Sequence, residues 1–190
     1  MPAAQPSHTS QVHQQNISYY DEIAGQYDQL LLQENANILV RERVKAQWLQ
    51  TVAPGRVLDF GGGTGFDLGW LTAHQYQVTF CEPSAGMREK AIQYSRELTH
   101  GNKIQFLDDA QTDFTQWQPS TPFLQPVQGI LANFGVLNAI PDTPLLFQQF
   151  SQILVTGGHC LVVILDRPFK RCGNGIAVIR SAPFCCASHL

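Results

Sequence analysis

Val57-Leu58-Asp59-Phe60-Gly61-Gly62-Gly63-Thr64-Gly65 decides how this chain is read. An apolar run ends in an acid and breaks at once into glycines, the pattern expected where a strand hands over to a helix through a tight turn. Glycines there let a ligand approach the main chain with no Cβ in the way, and the following helix offers free N–H groups. The stretch therefore reads as a nucleotide-cofactor site, and its neighbours say which cofactor. A dinucleotide-binding turn needs G-x-G-x-x-G with a diphosphate on the helix N-terminus. Here Gly61 and Gly63 are followed by Gly65, so the third glycine falls one place early. The carboxylate of Asp59 would also repel a diphosphate. An acid in that place suits a ligand that carries a cation and no phosphate, which makes a nicotinamide-dependent oxidoreductase the weaker reading.

Working outward, the 190 residues suffice for one domain with its own core, and 44% hydrophobic against 14% charged residues implies a chain that folds. A net charge of -3 without a basic run argues against a nucleic-acid partner. No apolar stretch approaches the ~20 residues a membrane span needs. Residues 1–16 are rich in Gln, Ser and His and lack an apolar core, so they read as a mobile tail rather than a secretory signal, and the expected location is cytoplasmic. The five cysteines are then expected to be reduced thiols, with Cys81 and Cys160 as small buried side chains inside predicted strands.

A helical prelude is predicted over residues 18–49, with Val40, Val44 and Trp48 as its apolar stripe and Pro54-Gly55 closing it. Strands are then predicted at 56–60, 77–82, 104–107, 128–133 and 159–165, and helices at 66–73, 85–98 and 143–154. Such alternation implies an α/β, Rossmann-like, doubly wound and mostly parallel sheet with helices on both faces. Only 25 residues follow Leu165, and 175–179 supply one short apolar run, so the sheet is expected to be incomplete at its C-terminal edge through truncation. A shortened natural form is a second reading of that tail, and Cys172, Cys185, Cys186 and His189 as zinc ligands are a third. They lack a paired C-x₂-C arrangement, and no metal is expected.

Asp59-x-Gly61-x-Gly63-x-Gly65 resembles the first motif of class I S-adenosylmethionine-dependent methyltransferases. The resemblance implies S-adenosylmethionine as the cofactor. Asp59 would position the methionyl ammonium, directly or through the loop and water, and Gly61, Gly63 and Gly65 would admit the methionine and ribose portions. Glu82, at the end of the next strand, is implied to accept the ribose hydroxyls, and its distance from the turn suits one βαβ unit. Met87 is implied to pack on the adenine, with core packing as the alternative. Asp109 and Ala110 are implied to read the adenine edge; Asp108 is the alternative by one register, and either acid also suits a turn cap.

Leu131-Ala132-Asn133-Phe134-Gly135-Val136-Leu137-Asn138 resembles the fourth motif of the same family, which makes Asn133 and Phe134 candidates to face the methionyl group or the acceptor. It is not Asn-Pro-Pro-Tyr, which weakens methylation of nucleic-acid amines. Tyr20-Asp21-Glu22-Ile23-Ala24-Gly25-Gln26-Tyr27-Asp28 resembles an N-terminal signature of small-molecule methyltransferases, where the second tyrosine reaches the cofactor's carboxylate end and the helix acts as a lid. Tyr20 and Tyr27 are expected on one helical face, an arrangement that a packing stripe explains equally well. The implied organisation is a tail over 1–16, a lid over 17–50, a cofactor-binding core over 51–166 and an atypical cysteine-containing segment over 167–190.

The implied activity is methyl transfer to a small-molecule or other soluble acceptor by in-line displacement, which asks mainly for alignment. The alternative is a non-catalytic methyltransferase-like protein, either a truncated isoform or a partner subunit. No catalytic base is assigned, because His74 is expected to be exposed and His159 merely precedes a strand.

Overall fold

The computed structural model describes residues 8–118, 122–165 and 176–180. In chain order the elements are α1 (His8–Ile23), α2 (Tyr27–Leu32), α3 (Asn35–Thr51), β1 (Arg56–Phe60), α4 (Leu68–Ala73), β2 (Gln77–Cys81) and α5 (Ala85–Glu97). They are followed by β3 (Ile104–Phe106), α6 (Asp109–Thr112), β4 (Val127–Ala132), α7 (Thr143–Ile153), β5 (Leu154–Leu165) and β6 (Ile176–Arg180). The sheet runs β3-β2-β1-β4-β5-β6, with the first five strands parallel. Strand order therefore reverses between β1 and β4, where an open α/β sheet leaves a crevice beyond the strand C-termini.

Side chains alternate across this sheet as the strand period requires. Val57 packs with Val78, Leu68, Leu71 and Ala91 on one face, against α3, α4 and α5. Leu58 and Phe60 point to the other face, where they meet Ile130, Leu146, Phe150 and Ile153 beneath α7. The predicted stripe of α3 is the buried one: Val40, Val44 and Trp48 all lie in the core, and the Trp48 ring meets Tyr76 edge-on at 5.9 Å. Local signals set the helix starts. Ser84 accepts from Met87 N–H at 3.2 Å to cap α5, and Asp142 accepts from Leu145 N–H at 3.0 Å to cap α7, which has Pro144 in its first turn.

The structure corrects the sequence reading in four places. Residues 8–16, read as part of a mobile tail, belong to α1; they contain no Gly or Pro, and Asn16 anchors the helix by donating to the Ala139 carbonyl at 3.3 Å. The single helix expected over 18–49 is three helices. Gly25-Gln26 interrupts the first break, and at the second Asn37 Nδ2 takes the orphan Leu31 carbonyl at 2.8 Å. Tyr20 and Tyr27 therefore sit on different helices rather than one face. Finally, β5 starts at Leu154, because its ladder with β4 continues past an irregularity between Val127 and Gly129.

The apolar run near the end of the chain does form a strand. β6 pairs antiparallel with β5, with Leu161 opposite Arg180 and Leu165 opposite Ile176. Cys172, Cys185, Cys186 and His189 lie outside the described residues. Among the described residues no helix is long and apolar enough to cross a membrane, and none of their His, Cys, Asp and Glu side chains group as a metal site would require.

Candidate functional site

A cavity opens at the β1–β4 crevice, with Gly61 and Gly63 after β1 on one side and Asn133 and Phe134 after β4 on the other. Its floor carries Glu82 and Met87, and its roof carries Tyr20 from α1 and Tyr27 from α2. The two tyrosine rings meet at 6.2 Å and 76° although they come from different helices. Seven of the residues singled out in the sequence thus converge there together with Tyr27: Tyr20, Gly61, Gly63, Glu82, Met87, Asn133 and Phe134.

Glu82 binds the glycine turn to the start of α5. One carboxylate oxygen accepts from Gly63 N–H at 2.9 Å and the other from Ser84 N–H at 2.8 Å. Burial pushes its carboxyl up to about 7, against the pull of those two N–H groups and of Arg88 in the other direction. Each oxygen keeps a second lone pair, so a vicinal diol could still be accepted.

Asp59 lies behind the turn rather than on the cavity wall. It is 1% exposed, and its Oδ2 is buried with no hydrogen-bond partner among the described residues. Burial foremost, and then Asp67 and Glu82, raise its carboxyl well above the usual range, while Arg41 pulls it down. Gly65 is likewise off the wall, packed on Leu68 and Ala91 of the helical face.

Asn133 is held from outside the cavity. Its Nδ2 donates to Asp67 Oδ2 at 2.9 Å, the same oxygen that accepts from Arg41 at 3.1 Å, while Asp67 Oδ1 accepts from the Trp70 indole at 2.9 Å. With Nδ2 donating to that carboxylate oxygen, Oδ1 is left as a buried acceptor without a partner among the described residues. Arg41 is itself clamped between the Phe66 and Phe134 rings, 4.4 and 4.6 Å from their centroids. Phe134 takes φ +60, a left-handed conformation rare for an aromatic residue and characteristic of functional turns. Arg41→Leu would leave Asp67 as an uncompensated charge; with the pair only 11% and 9% exposed, an unfolding free energy lower by about 3 kcal/mol is expected in urea titration.

Asp109 and Ala110 do not reach the cavity wall. The Asp109 side chain is 83% exposed and pairs with Arg88, and Asp108 caps α6 by accepting from Gln111 N–H at 2.9 Å. From that segment it is Thr112 and Phe114 that line the cavity. The sequence reading also missed His13, Asn16 and Ile17, one to two turns before Tyr20 on α1, and Val136, Ala139 and Ile140 on the opposite wall. Their spacing at i, i+3, i+4 and i+7 was the available signal on α1.

The N-terminal helices are clipped onto the core by side chains. Besides Asn16, Asp21 accepts from Ser84 Oγ at 2.6 Å and from Gly86 N–H at 2.8 Å, and Asp28 accepts from Thr64 Oγ1 at 2.5 Å.

Two of the buried oxygens without a partner among the described residues, those of Asp59 and Asn133, call for a donor, and the cavity's own carboxylate calls for hydroxyls; a cationic, ribose-bearing cofactor fits and a diphosphate does not. A methyltransferase domain profile matches residues 32–182. The chain belongs to the methyltransferase domain family. This methyltransferase has the class I fold, as solved structures confirm. The complex of DhpI with SAM and HEP is 20% identical, with 88% of this chain and 71% of that chain covered and a TM-score of 0.64. The DhpI–SAH complex is also 20% identical, covering 93% and 82% with a TM-score of 0.63. The glycopeptide N-methyltransferase MtfA bound to (S)-adenosyl-L-methionine is 14% identical, covering 73% and 65% with a TM-score of 0.56. No curated protein sequence matches the chain.

Proposed function

We propose that this methyltransferase takes S-adenosylmethionine in the β1–β4 crevice and methylates a small-molecule acceptor in solution. The observation that carries the reading is Glu82, a buried carboxylate on the cavity floor that ties the glycine turn to α5 and retains acceptor capacity for a ribose diol. Met87 packs on the adenine. Gly61, Gly63 and Gly65 shape the turn against the methionyl portion, and Tyr27 covers the carboxylate end. Asn133 Oδ1 accepts from the methionyl ammonium, with the Asp59 carboxylate supporting it from behind the turn and Phe134 facing the sulfonium.

Bound S-adenosylmethionine supplies an activated methyl group, and the chain supplies alignment and the exclusion of water. Residues 17–50 act as the lid and 51–166 as the cofactor-binding core. A small acceptor rather than nucleic acid or a lipid surface is favoured by a concave wall that is mainly apolar and aromatic. Cytoplasmic residence accords with Cys81 and Cys160 being free, buried thiols.

Isothermal titration with S-adenosylhomocysteine tests the reading, with micromolar binding expected and no heat from NAD(H) under the same conditions. A well-folded protein that binds neither would sink it. Binding left untouched by Asp59→Ala would remove Asp59 from the cofactor site.

A further inference from the structure

Behind the cavity wall lies a polar cluster drawn from three elements. Asp67, directly before α4, takes three donors: Arg41 of α3 at 3.1 Å and Asn133 Nδ2 at 2.9 Å on its Oδ2, and the Trp70 indole at 2.9 Å on its Oδ1. Asn133 and Phe134 line the cavity, and Asp67 reaches it only through Asn133. We propose that Asp67, seated by Arg41, is a positioning residue: it holds the Asn133 amide so that the oxygen, not the N–H, is left for a ligand, and so makes the methionyl end of the site selective for an ammonium group. This rests on the cofactor reading above.

An amide side chain has one accepting end and one donating end, and a half-turn about its last bond exchanges them. In the flipped arrangement Asn133 Oδ1 would face Asp67 Oδ2, acceptor against acceptor, and the N–H groups would turn to the ligand. The bond from Nδ2 to Asp67 selects the other orientation, with Oδ1 buried and without a partner among the described residues. An ammonium brings donors and a positive charge to that oxygen, whereas the flipped amide would repel it. A ligand with hydrogen in place of the amino group would leave the oxygen unpaired in a buried site.

The cluster is suited to fixing geometry more than to packing. Asp67 is 7% exposed, Asn133 6%, and the Arg41 side chain 11%. A buried ion pair contributes little to a fold beyond what apolar side chains of the same volume would, so stability alone does not call for one there. Orientation of a neighbouring amide does. Arg41 also sits between the Phe66 and Phe134 rings, which seats the residue next to Asn133 in its left-handed conformation at φ +60. Three donors share two carboxylate oxygens, and the single amide oxygen of Asp67→Asn cannot satisfy them all.

The probes are S-adenosylhomocysteine and its deaminated analogue, titrated calorimetrically into the full chain. Wild-type protein is expected to prefer S-adenosylhomocysteine by about 10-fold or more. In Asp67→Asn its affinity should fall by about 10-fold while that of the analogue changes less than twofold, so the preference disappears. Arg41→Met combined with Asp67→Leu removes both charges of the pair and should give the same result, which covers poor folding of Asp67→Asn. Introduced into Asn133→Ala, Asp67→Asn should add nothing to the loss. A further measurement needs no variant: in ligand-free, isotope-labelled protein the Asn133 Nδ2 protons should exchange slowly with water. Equal losses for the two ligands would reduce Asp67 to a structural role and overturn the proposal, as would unchanged S-adenosylhomocysteine affinity or Nδ2 protons that exchange as fast as those of an exposed amide. Wild-type protein that binds both ligands equally well overturns it with the cofactor reading intact, whereas wild-type protein that binds neither overturns the cofactor reading and this one with it.

Discussion

Glu82→Ala is expected to weaken S-adenosylhomocysteine binding by about 100-fold or more, the largest loss of affinity from any single side chain in the cavity. Two charge-assisted hydrogen bonds to ribose hydroxyls, at about 1.5–3 kcal/mol each, already account for that factor. The same change releases Gly63 and Ser84 N–H groups that the carboxylate now holds at 2.9 and 2.8 Å. Isothermal titration reads the result directly, and affinity within fivefold of wild type would remove Glu82 from the site.

The ionisation of Glu82 adds a pH signature. Burial holds its carboxyl at about 7 in the folded protein, against about 4.3 for an exposed glutamate. Between those values the folded protein keeps a proton that the unfolded chain has released. Stability of the ligand-free protein therefore falls as pH rises through that window, by on the order of 3 kcal/mol, and levels off above about 7. Asp59, raised in the same direction, acts with the same sign. Ligand affinity runs the other way: ribose hydroxyls donate to the ionised form, so S-adenosylhomocysteine should bind about tenfold more weakly at pH 6 than at pH 8. A dissociation constant flat across that range would contradict the assignment.

Gly62→Ala should lower the stability of the fold sharply, whereas Gly63→Ala, one residue on, should cost less of it. A Cβ on Gly62 would stand 2.2 Å from Phe80 Cε2 and 2.8 Å from Asp59 Oδ2, both deep in the core. Neither neighbour has room to move, and overpacking of this kind costs about 3 kcal/mol or more, a fall in Tm of roughly 6–12 °C for a domain of this size. At Gly63, with φ +59, the nearest atom is Tyr27 Cε1 at 3.8 Å, so only left-handed strain of about 1–2 kcal/mol is added. The new methyl instead enters the cavity, and the loss should appear in ligand titration. Thermal melts of the two variants separate these roles; equal Tm values would refute the distinction.

The parts of this molecule legible in its sequence are those governed by periodicity. Val40, Val44 and Trp48 announce a buried helical stripe, and the runs ending in Asp59, Glu82 and Asn133 announce parallel strands whose ends meet at one crevice. Contacts between elements distant in sequence were not legible. Arg88 draws Asp109 away from the cavity, and nothing local to either residue reveals that pair. Asp67 carries no signal of its own in the sequence, yet it joins Arg41, Trp70 and Asn133 from three separate elements. His13 sits in a polar stretch with weak helical signal, and only the docking of α1 over the crevice gives it a direction.

Asn16, Asp21 and Asp28 fasten α1 and α2 to three different parts of the core, at Ala139, at the start of α5 and at Thr64. The cofactor half of the cavity is framed by the ends of β1, β2 and β4, with Tyr20 and Tyr27 of the clipped helices over it. The opposite half is made partly by α1 itself, so it comes into being only when the clips are closed. The clips therefore shape both halves at once, because the helices they hold carry Tyr20 and Tyr27 over the one and His13 and Ile17 into the other.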